Sequence, residues 1–213
     1  MNVQVKICGL KTPEAVDAAA EGGAAYAGFV FFDKSPRFLT PDVALMLRNR
    51  LPEATLAVAL LVDPTDAMLA SAVEGMAPDL LQLHGAESPE RVAAIRSRFG
   101  LPVIKALPVA SKADLEPVAA YAAVADMLLF DAKPSPGDER PGGNARSFEW
   151  SLLKGLSPGR PWFLAGGLSP ANLAAAQAAS GASWLDVSSG VEQAPGEKDL
   201  GLIRAFLAAA RAL

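Results

Sequence analysis

Short β-branched or aromatic runs alternate along the whole sequence with Ala/Leu-rich stretches whose apolar residues recur at helical spacing. Such alternation is typical of βα units, in which helices connect parallel strands. The predicted strands start roughly 22–35 residues apart, close to one βα unit each, at Val3, Tyr26, Thr55, Asp79, Pro102, Asp126, Pro161 and Ser183. Eight units within 213 residues predict a single-domain (β/α)8 barrel over residues 1–213.

A doubly wound open sheet is the competing architecture, but it needs only about five or six strands. The barrel is favoured because no two of the eight runs can be merged, and because several strands carry polar side chains on one face. Since side chains alternate between the two faces of a strand, Lys6 and Cys8 share a face, as do Gln82 and His84 in a later strand. Polar groups near the strand ends, together with Asp186 in the last strand, suit a barrel whose mouth is an active site.

Four predicted helices begin with a side-chain oxygen that can cap the helix and a proline at the first helical position, where a missing N–H has no cost. The four pairs are Thr12-Pro13, Thr40-Pro41, Ser88-Pro89 and Ser169-Pro170. We therefore expect each of these helices to start at its proline.

The composition excludes several classes of protein. The chain has 19 basic and 23 acidic residues and a net charge of −4, without the basic stripe that binding to nucleic acid or to an anionic membrane requires. Its purely apolar runs, residues 56–62 among them, are too short to span a bilayer, and its first residues lack the pattern of a secretory signal. We expect a cytoplasmic protein without a nucleic-acid or membrane partner.

One cysteine, Cys8, and one histidine, His84, restrict the chemistry further. No disulfide can form within the chain, and zinc sites typically need several Cys or His ligands, so no metal is expected. A Ser-His-Asp triad would have to include His84. The remaining chemistry uses carboxylates, one thiol, lysines and backbone amides.

Cys8 and Asp131 are the predicted proton-transfer residues. Cys8 ends the first strand beside Lys6, whose ammonium group is expected to lower the pKa of the thiol and make it a usable base, although a lone cysteine is more often a small buried apolar residue. Asp131 follows an apolar run, which can raise the pKa of a carboxyl group and make it a general acid; otherwise it anchors the next loop. A base and an acid on opposed sides of a substrate suit an aldose–ketose type of isomerisation.

Two glycine-containing segments follow the seventh and eighth strands, Gly166-Gly167 and Ser189-Gly190. In barrels of this kind, loops at these positions expose backbone N–H groups that bind phosphate. One such pair alone would indicate only a tight turn. Two pairs at the two expected positions predict a phosphate site.

Other polar residues near the mouth have two interpretations each. Arg37 could bind a carboxylate through two hydrogen bonds or be a solvated loop charge. His84 could contact substrate or be a hydrogen-bonded structural residue, and Lys105 could lie at the mouth or fill the barrel. Segment 131–147 is long for a connecting loop without a function, and its length favours a lid or binding loop over a tolerated surface insertion.

Six segments carry a resemblance to one family over nearly the whole chain. Their order and spacing are similar to those of phosphoribosylanthranilate isomerases of tryptophan biosynthesis. The segments are KICGL (6–10), GFVFFDKSPRFLT (28–40), QLHG (82–85), LLFDAKP (128–134), FLAGGLSPANL (163–173) and LDVSSGVEQAPGEKD (185–199).

The resemblance implies a (β/α)8 barrel that converts N-(5-phosphoribosyl)anthranilate into 1-(o-carboxyphenylamino)-1-deoxyribulose 5-phosphate by an Amadori rearrangement, without a cofactor. It implies that Cys8 removes the C2 proton and that Asp131 protonates the ring oxygen. Arg37 would bind the anthranilate carboxylate. The phosphate would be held by Gly166-Gly167 and Ser189-Gly190.

His84 and Asp186 complete the predicted substrate-binding set. The only partner expected is this small phosphosugar–anthranilate molecule, with the chain a monomer or a homodimer. The sequence departs from the family pattern in segment 131–147, where Ala145 replaces a glycine, and at Glu149, which replaces an aspartate.

Four alternatives accompany this hypothesis. A barrel could bind a phosphorylated ligand without turning it over, but both proton-transfer residues are present. A pentose-phosphate epimerase needs more histidine than the chain has, and an indole-glycerol-phosphate synthase uses a lysine–glutamate set that the sequence does not show. A second activity on the related aminoaldose of histidine biosynthesis is compatible with the same residues.

Overall fold

A computed structural model describes residues 3–135, 137, 140–143 and 146–213 of the chain. The strands are β1 (Gln4–Cys8), β2 (Tyr26–Val30), β3 (Leu56–Leu61), β4 (Leu80–Leu83), β5 (Val103–Val109), β6 (Met127–Ala132), β7 (Trp162–Leu164) and β8 (Trp184–Val187). They pair in parallel in sequence order, and β8 closes the ring on β1. All eight start within one residue of the predicted positions, and the predicted barrel is confirmed.

Helices alternate with the strands. The described part of the chain contains α1 (Pro13–Glu21), α2 (Pro41–Arg48), α3 (Asp66–Met76), α4 (Pro89–Phe99), α5 (Val118–Val124), α6 (Leu173–Ser180) and α7 (Leu200–Arg211). Short 3-10 helices cover Lys112–Leu115, Trp150–Leu153 and Ser189–Val191, and an antiparallel hairpin of β9 (Glu192–Ala194) and β10 (Glu197–Lys198) follows β8. Between β6 and β7 the described residues form a 3-10 helix in place of the regular α-helix. Within the described ranges, no helix has the length and apolar character needed to cross a membrane.

The helix starts agree with the sequence in three of four places. α1, α2 and α4 begin at the predicted prolines, and Thr12 and Ser88 accept the expected hydrogen bonds from backbone N–H groups, whereas the cap before α2 makes no such bond. The prediction for Ser169-Pro170 is wrong, because α6 begins only at Leu173. The Asn172 side chain accepts a hydrogen bond from the Ser169 N–H and closes a turn around the proline before the helix starts.

The two faces of each strand have different surroundings, as the alternation of side chains requires. Ile7 of β1 packs in the core between barrel and helices, whereas Lys6 of the same strand turns inward and reaches Asp186 of β8. Two residues before Asp186 on the same face, Trp184 packs edge to face on Phe163, with ring centroids 5.1 Å apart. An aromatic layer therefore lies on the N-terminal side of the polar interior residues.

Lys105 lies on the outer face of β5, so the prediction that it lies at the mouth or fills the barrel is wrong. Its neighbour Ile104 belongs to the interior cluster, which turns Lys105 toward the helices. There its Nζ lies 2.7 Å from Glu87 Oε2 and 5.6 Å from the centre of the Tyr121 ring. Both charged side chains are 2% exposed. This buried pair fixes the connection between β4 and α4.

Replacing Lys105 by methionine is expected to lower the free energy of unfolding by about 3–5 kcal/mol, because it leaves the Glu87 carboxylate buried without its cation. Urea unfolding measures the change. The matched control is Lys133→Met, which removes an ion pair with Asp114 whose lysine side chain is 51% exposed, so that about 1 kcal/mol or less is expected. Equal effects of the two substitutions would contradict a structural role for the buried pair.

Candidate active site

A cleft enclosing about 830 Å³ of space, including its part open to solvent, lies at the C-terminal end of the barrel. Eight of the nine predicted site residues line it: Cys8, Arg37, His84, Asp131, Gly166, Gly167, Asp186 and Ser189. Gly190 is the exception. A Cβ at Gly190 would overlap the Leu168 carbonyl, so this glycine permits close packing of the loops after β7 and β8.

The Cys8 thiol faces this cleft from β1 and is 4% exposed. It interacts with the ammonium group of Lys6, which lies 2.9 Å from Asp186 Oδ1. Gly28 of the neighbouring strand leaves the space for this arrangement, since a Cβ there would lie 3.0 Å from the sulfur and 3.1 Å from Lys6 Nζ. A carboxylate, an ammonium group and a thiol therefore meet on the barrel wall.

The expectation that Lys6 lowers the pKa of the Cys8 thiol below its ordinary value is wrong. Burial raises this pKa, and the attraction of Lys6 offsets burial only in part, because the nearby Asp186 carboxylate opposes it. Burial alone would lower the pKa of Lys6, but Asp186 and the thiol more than offset that effect and raise it. The resting sulfur is therefore a thiol beside a permanently charged ammonium group.

Asp131 ends β6 in contact with a chain of polar side chains. Its Oδ1 accepts a hydrogen bond from the Ala132 N–H at 2.8 Å, and its Oδ2 lies 3.3 Å from His84 Nε2. His84 Nδ1 lies 2.9 Å from Gln82 Nε2. If the amide donates to Nδ1, the imidazole carries its proton on Nε2 and directs it to Asp131. His84 thus contacts the predicted acid directly.

The loop after β6 covers this pair. A Cβ at Gly142 would overlap both Asp131 Oδ2 and His84 Nε2, so the loop backbone passes directly over them. Of the described loop residues, Arg140 and Arg146 also line the cleft. Segment 131–147 therefore contributes to the site, whereas its action as a lid stays a prediction. Ala145, one of the departures from the family pattern, lies outside the described residues.

Arg37 is held by a partner that the sequence did not reveal. Its Nε and Nη2 each lie 2.7 Å from one carboxylate oxygen of Glu192, and its side chain is 5% exposed. It is not the solvated loop charge that one interpretation suggested. Nη2 also donates to the Gly143 carbonyl at 3.3 Å. The Nε side of the guanidinium is therefore occupied, and among the described residues Nη1 has no hydrogen-bond partner and is left for another ligand.

Lys198 completes this cluster from the other strand of the hairpin. Its Nζ lies 2.8 Å from Glu192 Oε1 and also donates to the Ser188 carbonyl at 2.8 Å. Burial lowers the pKa of Lys198 to about 8, although Glu192 acts in the opposite direction. Burial would raise the pKa of Glu192, but Arg37 and Lys198 lower it below its ordinary value. The Pro195-Gly196 pair, which lies between Glu192 and Lys198 and is typical of a turn, was the sequence signal for this hairpin.

The loops after β7 and β8 meet on another side of the cleft. Gly166 and Gly167 have φ values of +82° and +69°, which favour glycine over residues with a side chain. Both line the cleft together with Ser189, the first residue of the 3-10 helix after β8.

Residues 3–135, 137, 140–143 and 146–213 contain no group of three or more His, Cys, Asp or Glu side chains that could hold a metal ion.

A closed (β/α)8 barrel with a thiol, a carboxyl group and an arginine at one cleft belongs to the class of barrel enzymes that act on small molecules by proton transfer. The model of the family "N-(5'phosphoribosyl)anthranilate (PRA) isomerase" matches residues 5–209. The chain belongs to this family. The predicted isomerase of tryptophan biosynthesis is thereby confirmed.

Individual relatives extend over the same length. A protein from Paramagnetospirillum magneticum named N-(5'-phosphoribosyl)anthranilate isomerase is 56% identical over 211 residues, which are 99% of this chain and 98% of that protein. A crystal structure of phosphoribosyl anthranilate isomerase with reduced 1-(o-carboxyphenylamino)-1-deoxyribulose 5-phosphate is 32% identical, with a TM-score of 0.84 over 99% of this chain and 100% of that one. A structure of monomers generated from the dimeric Thermotoga maritima enzyme has the same identity and coverage and a TM-score of 0.83.

Alkylation of Cys8 tests the direction of its pKa, because the chain has only this cysteine. The rate of reaction with iodoacetamide follows the thiolate fraction, so the folded protein should reach its half-maximal rate at a higher pH than the same chain in urea. Circular dichroism at each pH checks that the fold persists. A lower midpoint in the folded protein would contradict the assignment.

Proposed function

We propose that this isomerase converts N-(5′-phosphoribosyl)anthranilate into 1-(o-carboxyphenylamino)-1-deoxyribulose 5-phosphate with Cys8 as the base and Asp131 as the acid. The observation that carries the proposal is that both groups face one cleft from well-separated strands, β1 and β6. A ring-shaped substrate between them would present its C2 proton to one and its ring oxygen to the other. This is the placement that two coupled proton transfers need.

The reaction begins at the ring oxygen. Asp131, in its protonated form, gives its proton to that oxygen as the bond from C1 to oxygen breaks, and the nitrogen lone pair forms a C=N bond. The Cys8 thiol first releases its own proton to water, and the resulting thiolate then takes the proton from C2. The electrons of that C–H bond form a C1=C2 double bond, and the C=N electrons return to nitrogen. The resulting enol becomes the ketone when a proton moves from its oxygen to C1.

Lys6 makes the thiolate accessible in a site where burial opposes it. Its ammonium group stays charged because Asp186 pairs with it. When Cys8 loses its proton, the new negative charge forms beside a fixed positive charge and needs no rearrangement of water. Lys6 thus stabilises the charge at the stage of the reaction in which it develops.

The two ends of the substrate fit two sides of the cleft. The phosphate is proposed to lie at Gly166 and Gly167 together with Ser189, where glycine backbone conformations allow close approach. The anthranilate carboxylate is proposed to bind Arg37 through Nη1. His84 and Asp186 also line the cleft and are proposed to contact the sugar.

Substitutions at the two proton-transfer positions test the mechanism. Cys8→Ser and Asp131→Asn should each lower turnover by roughly 10²–10⁴-fold, because each removes one proton-transfer group. The loss of fluorescence of N-(5′-phosphoribosyl)anthranilate measures turnover. Asp17→Asn, which removes an exposed ion pair between Asp17 of α1 and Arg50, is the matched control and should leave turnover unchanged. Near-normal turnover in both site variants would refute the proposed roles.

The cytoplasm is the proposed compartment, since a thiol that acts as a base must stay reduced. The proposed assembly is a monomer or a homodimer. Cell fractionation tests the first proposal, and analytical ultracentrifugation of the purified chain tests the second. Membrane-bound material or a larger assembly would contradict them.

A further inference from the structure

The cluster of Arg37, Glu192 and Lys198 contains more positive than negative charge, and it is buried. The side chains of the three residues are 5%, 4% and 2% exposed. Among the residues that the structure describes, two cations share one carboxylate, so the cluster carries one excess positive charge. Burying an uncompensated charge is costly in a structure that needs it only for stability. The missing negative charge indicates a ligand that brings an anion to this place.

The Glu192 carboxylate is fully occupied by donors. Oε1 accepts from Arg37 Nε and Lys198 Nζ, and Oε2 accepts from Arg37 Nη2 and the Gly196 N–H at 3.2 Å. A carboxylate has about four acceptor sites, and each has a donor here. A glutamine at position 192 would place its NH2 group against two of these donors in either orientation of the amide, so it could not replace the carboxylate.

The hairpin β9–β10 also fixes the loop that carries Arg37. A Cβ at Gly196 would lie 2.6 Å from the Pro36 carbonyl oxygen, so the hairpin backbone packs directly on that loop. On its other side, Lys198 donates to Ser188, the residue before Ser189. One hairpin therefore connects the arginine to the loop proposed to bind phosphate.

We propose that Glu192 is a positioning residue, which turns the Nη1 side of Arg37 toward the carboxylate of the substrate, and that Lys198 holds Glu192 in place. This inference rests on the proposed function, which assigns the carboxylate to Arg37. Glu192 does not touch the reacting atoms. It selects for a substrate with a carboxylate by fixing, at one place in the cleft, the guanidinium nitrogen Nη1, which has no hydrogen-bond partner among the described residues.

Two ligands separate positioning from general damage. They are reduced 1-(o-carboxyphenylamino)-1-deoxyribulose 5-phosphate and the same compound without the carboxylate, and calorimetry gives the Kd of each. In the unsubstituted protein the carboxylate should strengthen binding by about 10–100-fold, as expected for a charged hydrogen-bonded pair. Glu192→Gln should reduce this ratio by about tenfold, while the Kd of the carboxyl-free ligand stays within about threefold.

Glu197→Gln is the matched control, because Glu197 lies on the same hairpin and is exposed. It should leave both dissociation constants unchanged. If Glu192→Gln does not fold, the double variant Glu192→Gln/Lys198→Met removes one buried cation together with the carboxylate. It should fold and still show the reduced ratio.

The possible outcomes distinguish the inference from the proposed function. A ratio near one in the unsubstituted protein would overturn the role of Arg37 itself. A large ratio that Glu192→Gln and the double variant leave unchanged would overturn the positioning role of Glu192 alone. Equal weakening of both ligands would also overturn it, since it would assign Glu192 a structural role only.

Discussion

The ammonium group of Lys6, buried between the Asp186 carboxylate and the Cys8 thiol, makes the interaction on which the proposed chemistry of this barrel depends. Burial alone would leave the sulfur protonated and unreactive. The fixed charge of Lys6 beside the sulfur lowers the free energy of forming a transient thiolate, and Asp186 keeps Lys6 charged. Gly28 on the neighbouring strand is part of the same arrangement, because a side chain at this position would enter the space beside Cys8 and Lys6. The closed barrel brings β8, β1 and β2 side by side and so assembles the group from distant parts of the chain.

The substrate-binding part of the site follows a different principle. The proposed acid and base, together with Lys6 and its partner Asp186, come from strands, whose positions the barrel fixes. The groups proposed to bind the two ends of the substrate come from loops, and each loop is held by its neighbours. Glu192 holds Arg37, Lys198 holds Glu192 and Ser188, and the loop carrying Gly142 lies over Asp131. In the proposed mechanism, rigid strands thus carry the chemistry, while loops that support one another determine which molecule binds.

The strand positions and the inward direction of Cys8 and Asp131 could be predicted from the sequence, because strand alternation has a period of two and a closed barrel has only one interior. Lys105 could not be placed, since a lysine in a strand does not reveal which face it occupies until the register of its apolar neighbours is known. The start of α6 was missed because a proline after a serine is also compatible with a turn. The pKa of Cys8 depends on burial and on Asp186, and both follow from the closure of the ring. Glu192 and Lys198 escaped notice for the same reason, since their partner Arg37 is 155 residues from Glu192 in sequence.

A crystal structure of this chain with reduced 1-(o-carboxyphenylamino)-1-deoxyribulose 5-phosphate tests the central claim most directly. The account predicts that the Cys8 sulfur lies about 3–3.5 Å from C2 of the sugar, the separation expected for reacting atoms, with the Asp131 carboxyl group on the side of the sugar oxygen. A sugar bound with C2 out of reach of the sulfur, or with its phosphate away from Gly166 and Gly167, would contradict it.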